Sequence, residues 1–229
     1  VSPLLVISAA VFGAATAAFL PRLAERLAVR NGEGVRQSCA VCSRPFSPGM
    51  HGWVRVGAAC ACTGGCLRVV STGAAVATAL AVAVGPLPLL PVYLLAAVPA
   101  LLLAMIDVRC LRLPDPLVAA LVVIAGVPLG VLRPEQIGTA LAAGVGALVA
   151  YGIIALLPWR GLGLGDVKLA AALALILGFT GTDAVLAGVL TAHLIIGPVA
   201  MFRLITGPRR AIPFGPALLA GALIAITTA

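Results

Sequence analysis

The sequence predicts an all-α, polytopic membrane protein with about eight transmembrane helices and one small cytoplasmic loop domain. Three observations predict it. Of the 229 residues, 62% are hydrophobic and only 10% are charged, with mean hydropathy +1.19, whereas soluble domains carry about 25% charged residues. The apolar residues fall into eight long runs separated by short polar, proline or glycine-rich joints. The basic residues crowd into alternate joints, as membrane topology requires. A formal charge of +8 could suggest a nucleic-acid partner. The charges are not interleaved with aromatics in a patch, however, so the partner they imply is the lipid bilayer and no nucleic acid.

The spans read Leu4–Leu20, Val69–Val84, Leu89–Ile106, Leu117–Leu132, Ile137–Leu157, Val167–Gly181, Ala184–Ile205 and Ala211–Ala229. The first resembles a signal-peptide core. No basic region precedes it and Pro21-Arg22 makes a poor cleavage site, so it reads as a retained helix. Gly85-Pro86-Leu87-Pro88 and Pro91 punctuate the joint between the second and third spans. The sixth span is the weakest, and is expected to borrow length from the glycine strip before it or to sit inside the bundle. Three regions follow: residues 1–20 as the first span, 21–68 as the cytoplasmic cysteine loop, and 69–229 as a multi-pass domain.

With the N-terminus outside, every basic residue except Arg133 falls in an inside joint, from Arg22 and Arg26 through Arg109, Arg112, Arg160 and Lys168 to Arg209 and Arg210. Lys/Arg bias next to spans sets orientation, and the reverse placement would invert it. Residues 21–68 then face the cytoplasm. They are too few to build an independent core without a staple. Cys39-Ala40-Val41-Cys42 followed by Cys60, Cys62 and Cys66 suits tetrahedral zinc in a reducing compartment. The second half offers three sulfurs for two places, so four of the five cysteines are the expected ligands, with His51 as a possible substitute for one.

Two aspartates carry the chemistry. Asp166 follows Gly161-Leu162-Gly163-Leu164-Gly165 at the start of an apolar run, and an intramembrane aspartate costs roughly 2.5–3.5 kcal/mol. The alternating glycines let the backbone bend or let another chain approach closely. Asp107 ends another apolar run, where the helix dipole disfavours an anion. A salt bridge to Arg109 or Arg112 is its structural alternative. Two carboxylates sharing a site cannot both ionise easily, so one keeps a proton. Such a pair supplies a general base for water and an acid for the leaving nitrogen, with no cofactor required for peptide hydrolysis. Asp115, before Pro116, reads as a helix cap. Lys168 reads as snorkelling to the interface, and His193 as a packed polar residue. No His-Glu-x-x-His, Gly-x-Ser-x-Gly or phosphate-loop pattern occurs.

Three stretches together resemble the prepilin peptidases (type IV leader peptidases), membrane aspartic proteases of the Gly-x-Gly-Asp class. They are Ile106-Asp107 with Leu113-Pro114-Asp115, Gly163-Leu164-Gly165-Asp166-Val167-Lys168, and Ile212-Pro213-Phe214-Gly215-Pro216. The resemblance covers residues 87–229 well and the front third more loosely. It implies cleavage of the basic leader from type IV prepilin or pseudopilin precursors, at the cytoplasmic face of a bacterial inner membrane. The scissile bond would follow a glycine just before an apolar helix. Asp107 and Asp166 carry over as the catalytic pair, with Gly163, Gly165, Lys168, Pro213, Phe214 and Gly215 as active-site backbone and substrate contacts. Family members that also N-methylate their product with S-adenosylmethionine carry a paired-cysteine loop. Here the second pair departs from Cys-x-x-Cys, which leaves methylation open. The alternative from another class is a small proton- or cation-coupled transporter using the same aspartates. It would favour internal repeats and mid-span acids, and neither is evident.

Overall fold

The computed structural model describes residues 1–29, 32–57, 59, 60, 62, 66–157, 162–206 and 212–229, leaving aside the side chains of His51 and Leu204. Ten α-helices are described: α1 Pro3–Ala17, α2 Leu20–Leu27, α3 Met50–Trp53, α4 Cys66–Val84, α5 Leu89–Cys110, α6 Asp115–Leu132, α7 Ile137–Leu156, α8 Leu164–Gly178, α9 Thr182–Thr206 and α10 Gly215–Thr228. Among the described residues there is no strand, only an isolated bridge between Ser38 and Pro45. By length and composition, six helical stretches can cross a membrane, and α8 and α10 are shorter apolar helices beside them. The eight apolar runs of the sequence each become a helix. Their outer faces carry large apolar side chains open to lipid, among them Leu4 at 77%, Val131 at 76% and Leu194 at 74% exposure.

The first span differs from expectation at its inner end. Residues 20–27 continue as a separate helix, α2, rather than entering a loop, and its polar face is buried: Arg22, Glu25 and Arg26 are each under 8% exposed. The cysteine loop folds back over that face, so tertiary contacts supply what local apolarity does not.

The sixth span sits inside the bundle. Val167, Leu169, Ala170, Ala172 and Leu173 are all buried in α8, which packs against α6, α7, α9 and α10. Without water to drive association, membrane helices approach through small residues. Gly13 meets Gly73 between α1 and α4, Gly178 meets Ala140 between α8 and α7, and Gly221 meets Gly188 between α10 and α9. The α7–α8 contact leaves no room for a methyl group: a Cβ on Gly178 would stand 2.5 Å from the Ala140 Cα and 3.0 Å from its nitrogen. Backbone cannot yield there as a side-chain tip would. Gly178→Ala should therefore cost about 1–3 kcal/mol and lower the midpoint of thermal unfolding in detergent. Gly152→Ala, where nothing lies within 4 Å, should not; equal midpoints for the two variants would refute the tight packing.

Candidate active site

Asp107 occupies the last turn of α5 at 3% exposure. The helix stops three residues later because Leu111 turns left-handed (φ 54°), and its N–H closes onto the Asp107 carbonyl at 2.8 Å. Among the described residues no cation forms an ion pair with this carboxylate. Arg109 donates to the Met105 carbonyl and lies 3.9 Å from Glu25, while Arg112 donates to the Val29 carbonyl at 3.1 Å. Instead, Asp107 Oδ2 accepts the backbone N–H of Gly215 at 2.9 Å. Gly215 opens α10 directly after Ile212-Pro213-Phe214, so this strip is folded onto a residue 108 positions earlier in the chain. A Cβ on Gly215 would stand 2.9 Å from that same Oδ2 and 3.4 Å from Leu113 Cδ2. Only glycine lets the amide reach the carboxylate.

Asp166 is the third residue of α8, with Gly163 at the N-cap. Its Oδ2 accepts the Gly163 N–H at 3.3 Å, half of a capping box, at the helix end where the dipole favours an anion. That accounts for one oxygen. The other, Oδ1, is buried and has no hydrogen-bond partner among the described residues. Asp166 is close enough to Asp107 for the two carboxylates to interact electrostatically. Leu113 lies between their strips: a Cβ on Gly165 would be 3.2 Å from Leu113 Cβ, and Leu113 also packs on Gly215. Gly163 has an ordinary extended backbone (φ −77°). Of the two uses expected of the glycines, close approach is therefore the one visible. Gly161 lies outside the described residues.

Phe214 is gripped by two rings. The His193 ring meets it edge-on at 5.5 Å and Tyr151 lies 6.3 Å away. His193 is exposed and not packed away as expected; its Nδ1 lies 2.8 Å from the Val189 carbonyl, and its ring meets Tyr151 and Phe214. Tyr151 was not singled out from the sequence. Its only signal there is that it is one of two tyrosines in the chain, set inside an apolar run. Lys168 Nζ pairs with Asp115 Oδ2 at 2.7 Å on an exposed surface. Asp115 does not cap α6: Pro114 holds the N-cap position, no side chain caps it, and the Asp115 carboxylate is drawn to Lys168 instead.

A family model described as the type IV leader peptidase family matches residues 94–202. Over that stretch the chain is similar to the type IV leader peptidase family. The match takes in Asp107, the glycine strip and Asp166, and stops short of the cysteine loop and the Pro213-Phe214-Gly215 strip. No curated protein and no solved structure matches the chain. The similarity is to a family of peptidases, and it falls on a chain with six helical stretches among the described residues able to cross a membrane.

The cysteine loop docks at the same end of the bundle as Asp107. Arg22 stacks over Phe46 at 4.2 Å, and Arg26 stacks over Trp53 at 4.1 Å while donating to the Gly52 carbonyl at 2.9 Å. Glu25 accepts the Ala40 N–H at 3.0 Å and lies 3.6 Å from Arg36. Above this base the sulfurs of Cys39, Cys42, Cys60 and Cys62 lie within 4.8 Å of one another. Cys39–Cys62 and Cys42–Cys60 are each 3.4 Å apart. Zinc–sulfur bonds of about 2.3 Å put tetrahedral ligands about 3.8 Å apart, so the set fits a zinc ion, which would hold the loop closed. The cluster favours the thiolate at Cys39 and Cys60 and the thiol at Cys62. The backbone N–H of Cys62, and then the Cys42 thiol, push Cys60 down to about 6. Cys62 keeps its proton, pushed up to about 12, because its thiol donates to the Cys42 and Cys39 sulfurs. Cys66 opens α4 outside the cluster, which chooses among the three sulfurs the spacing had left open. Metal analysis of purified protein should find about one zinc per chain, lost in Cys39→Ser and Cys60→Ser and kept in Cys66→Ser. Retention in Cys60→Ser would mean a different ligand set.

Proposed function

We propose that this protein is a prepilin peptidase that removes the basic leader of type IV pilin-like precursors at the cytoplasmic face of a bacterial inner membrane. Asp107 and Asp166 are its catalytic pair in this reading. The observation that carries it is the arrangement of the two carboxylates. They come from separate helices, each is anchored by a backbone N–H of a glycine strip, and one buried oxygen of Asp166 has no partner among the described residues. A structural cap would need no second carboxylate nearby.

The chemistry follows from the pair. The ionised carboxylate takes a proton from water as the water oxygen bonds to the peptide carbonyl carbon. The protonated partner then gives its proton to the leaving nitrogen as the C–N bond breaks. Gly215 and Gly163 N–H hold the carboxylates in register, so little reorganisation accompanies proton transfer. The basic joints supply the orientation, and the docking of α2 and the cysteine loop against the end of α5 puts that loop on the catalytic side.

Purified protein should cleave a synthetic precursor carrying a basic leader, a glycine and an apolar helix, read by gel separation of precursor and product. Asp107→Asn and Asp166→Asn should each abolish cleavage while the protein remains inserted. The double variant should be scarcely worse than either single one, because groups acting as a unit are non-additive. Asp115→Asn should retain most activity, since an exposed ion pair is worth about 0–1 kcal/mol. Substantial cleavage by Asp166→Asn would defeat the two-aspartate mechanism. For orientation, Cys66 is the reporter, being half-buried and outside the sulfur cluster. In an otherwise cysteine-intact protein it should react with a membrane-impermeant thiol reagent only after lysis; labelling in intact cells would reverse the sidedness.

A further inference from the structure

A groove of about 380 Å³ runs between α4, α5 and α10, within the roughly 300–1,000 Å³ range of ligand sites. One end is formed by Thr72, Ala104 and Pro216. Ala104 stands one turn before Asp107, and Pro216 follows the Gly215 whose amide holds that carboxylate. The other end is formed by Leu80, Tyr93 and Ile226. From Ala104 to Tyr93 along α5 is about 16 Å, three turns of helix. Leu173 and Ile176 of the buried helix α8 form part of the floor.

The lining offers no free polar group. Its two hydroxyls are already engaged, Thr72 with the Arg68 carbonyl at 2.8 Å and Tyr93 with Thr180 at 3.2 Å. Along α5 the wall is made of Ala96, Ala97, Ala100 and Ala104, small enough for another backbone to come close, as between membrane helices. We propose that this groove seats an apolar helix of the substrate, with the helix end that bears the scissile bond at Asp107. The proposal rests on the peptidase reading above and adds where the uncut part of the substrate binds. Three physical requirements select this occupant. A peptide at membrane depth must satisfy its own backbone, so it is helical there. A wall without free donors or acceptors selects apolar side chains, with one ridge of the incoming helix filling the groove. Only the end formed by Ala104 and Pro216 lies next to Asp107 and Gly215, so the bond cut falls at an end of that helix, where the backbone is no longer held in i→i−4 bonds. Ala100 and Ala220, which face the groove from α5 and α10, become specificity-determining positions for helix binding.

The test compares two synthetic substrates with the same leader and bond, one carrying the full apolar helix and one ending a few residues past the bond. Ala100→Phe and Ala220→Phe should raise KM for the helical precursor about tenfold with kcat unchanged, and leave kcat/KM for the short peptide as it was. Val123→Phe, on the lipid-facing side of α6 at 60% exposure, should change neither. Unaltered KM for the helical precursor, or equal losses on both substrates, would overturn the groove assignment. An independent measurement covers damage to folding: a photo-reactive residue at position 100 in the Asp166→Asn background should cross-link to the precursor's apolar helix. Cross-links only to lipid or to a second copy of the chain, with precursor in excess, would overturn it as well. Failure of the unaltered enzyme to cut either substrate would instead strike the peptidase reading, while the cross-link still reports what occupies the groove.

Discussion

Asp107 can remain inside an apolar bundle because one backbone N–H, that of Gly215, is brought to it across 108 residues of chain. A buried carboxylate without partners would be strongly disfavoured, and a neighbouring cation would quench its chemistry as an ion pair. An amide supplies the hydrogen bond and leaves the charge available. Several other features follow from that contact. The strip before α10 must be glycine at 215, Phe214 must be held so that the amide points inward, and Tyr151 and His193 provide the grip from α7 and α9. Leu113, wedged against Gly215 and Gly165, spaces the strip that holds Asp107 from the strip that bears Asp166.

The cysteine loop reaches the same region by another route. Glu25 sits on α2, which packs through Leu20 and Ala24 against Leu102 and Ile106 of α5. Its carboxylate meets the Ala40 amide within the first cysteine knuckle and faces Arg109, two residues past Asp107. The loop therefore rests on the segment that carries the first aspartate. Order in the sulfur cluster and order at the end of α5 share a common base in α2.

The helices of this fold could be read from the sequence because lipid imposes a simple rule: long apolar runs must become helices, and all eight runs did. The two aspartates were legible for the complementary reason, that charge is costly among such runs. What could not be read is what depends on contacts distant in sequence. Helix α2 has a polar face that looks like loop until Phe46 and Trp53 are stacked on it. Spacing left Cys60, Cys62 and Cys66 equivalent, and only folding takes Cys66 away into α4. Asp115 has a cap's sequence context, yet Lys168, 53 residues on, captures its carboxylate. The partner of Asp107 is a main-chain group, which no residue type announces. Tyr151 looked like any aromatic in a span.

The shortness of α8 has a consequence for the membrane itself. Its 15 residues make a rod about 22 Å long, against a hydrocarbon layer of about 30 Å. Gly178 pins its far end beside Ala140, near the start of α7, and α7 then runs 16 residues further, to Leu156. Counting back along the antiparallel pair, Asp166 falls about one helical turn short of where α7 ends. Helices α6, α7, α9 and α10 pack around α8, so they hold the lipid away from that recess and the bilayer need not thin to meet the short helix. Asp166 is thus set below the rim that the end of α7 forms, and a route for water to it runs between helices and not through acyl chains.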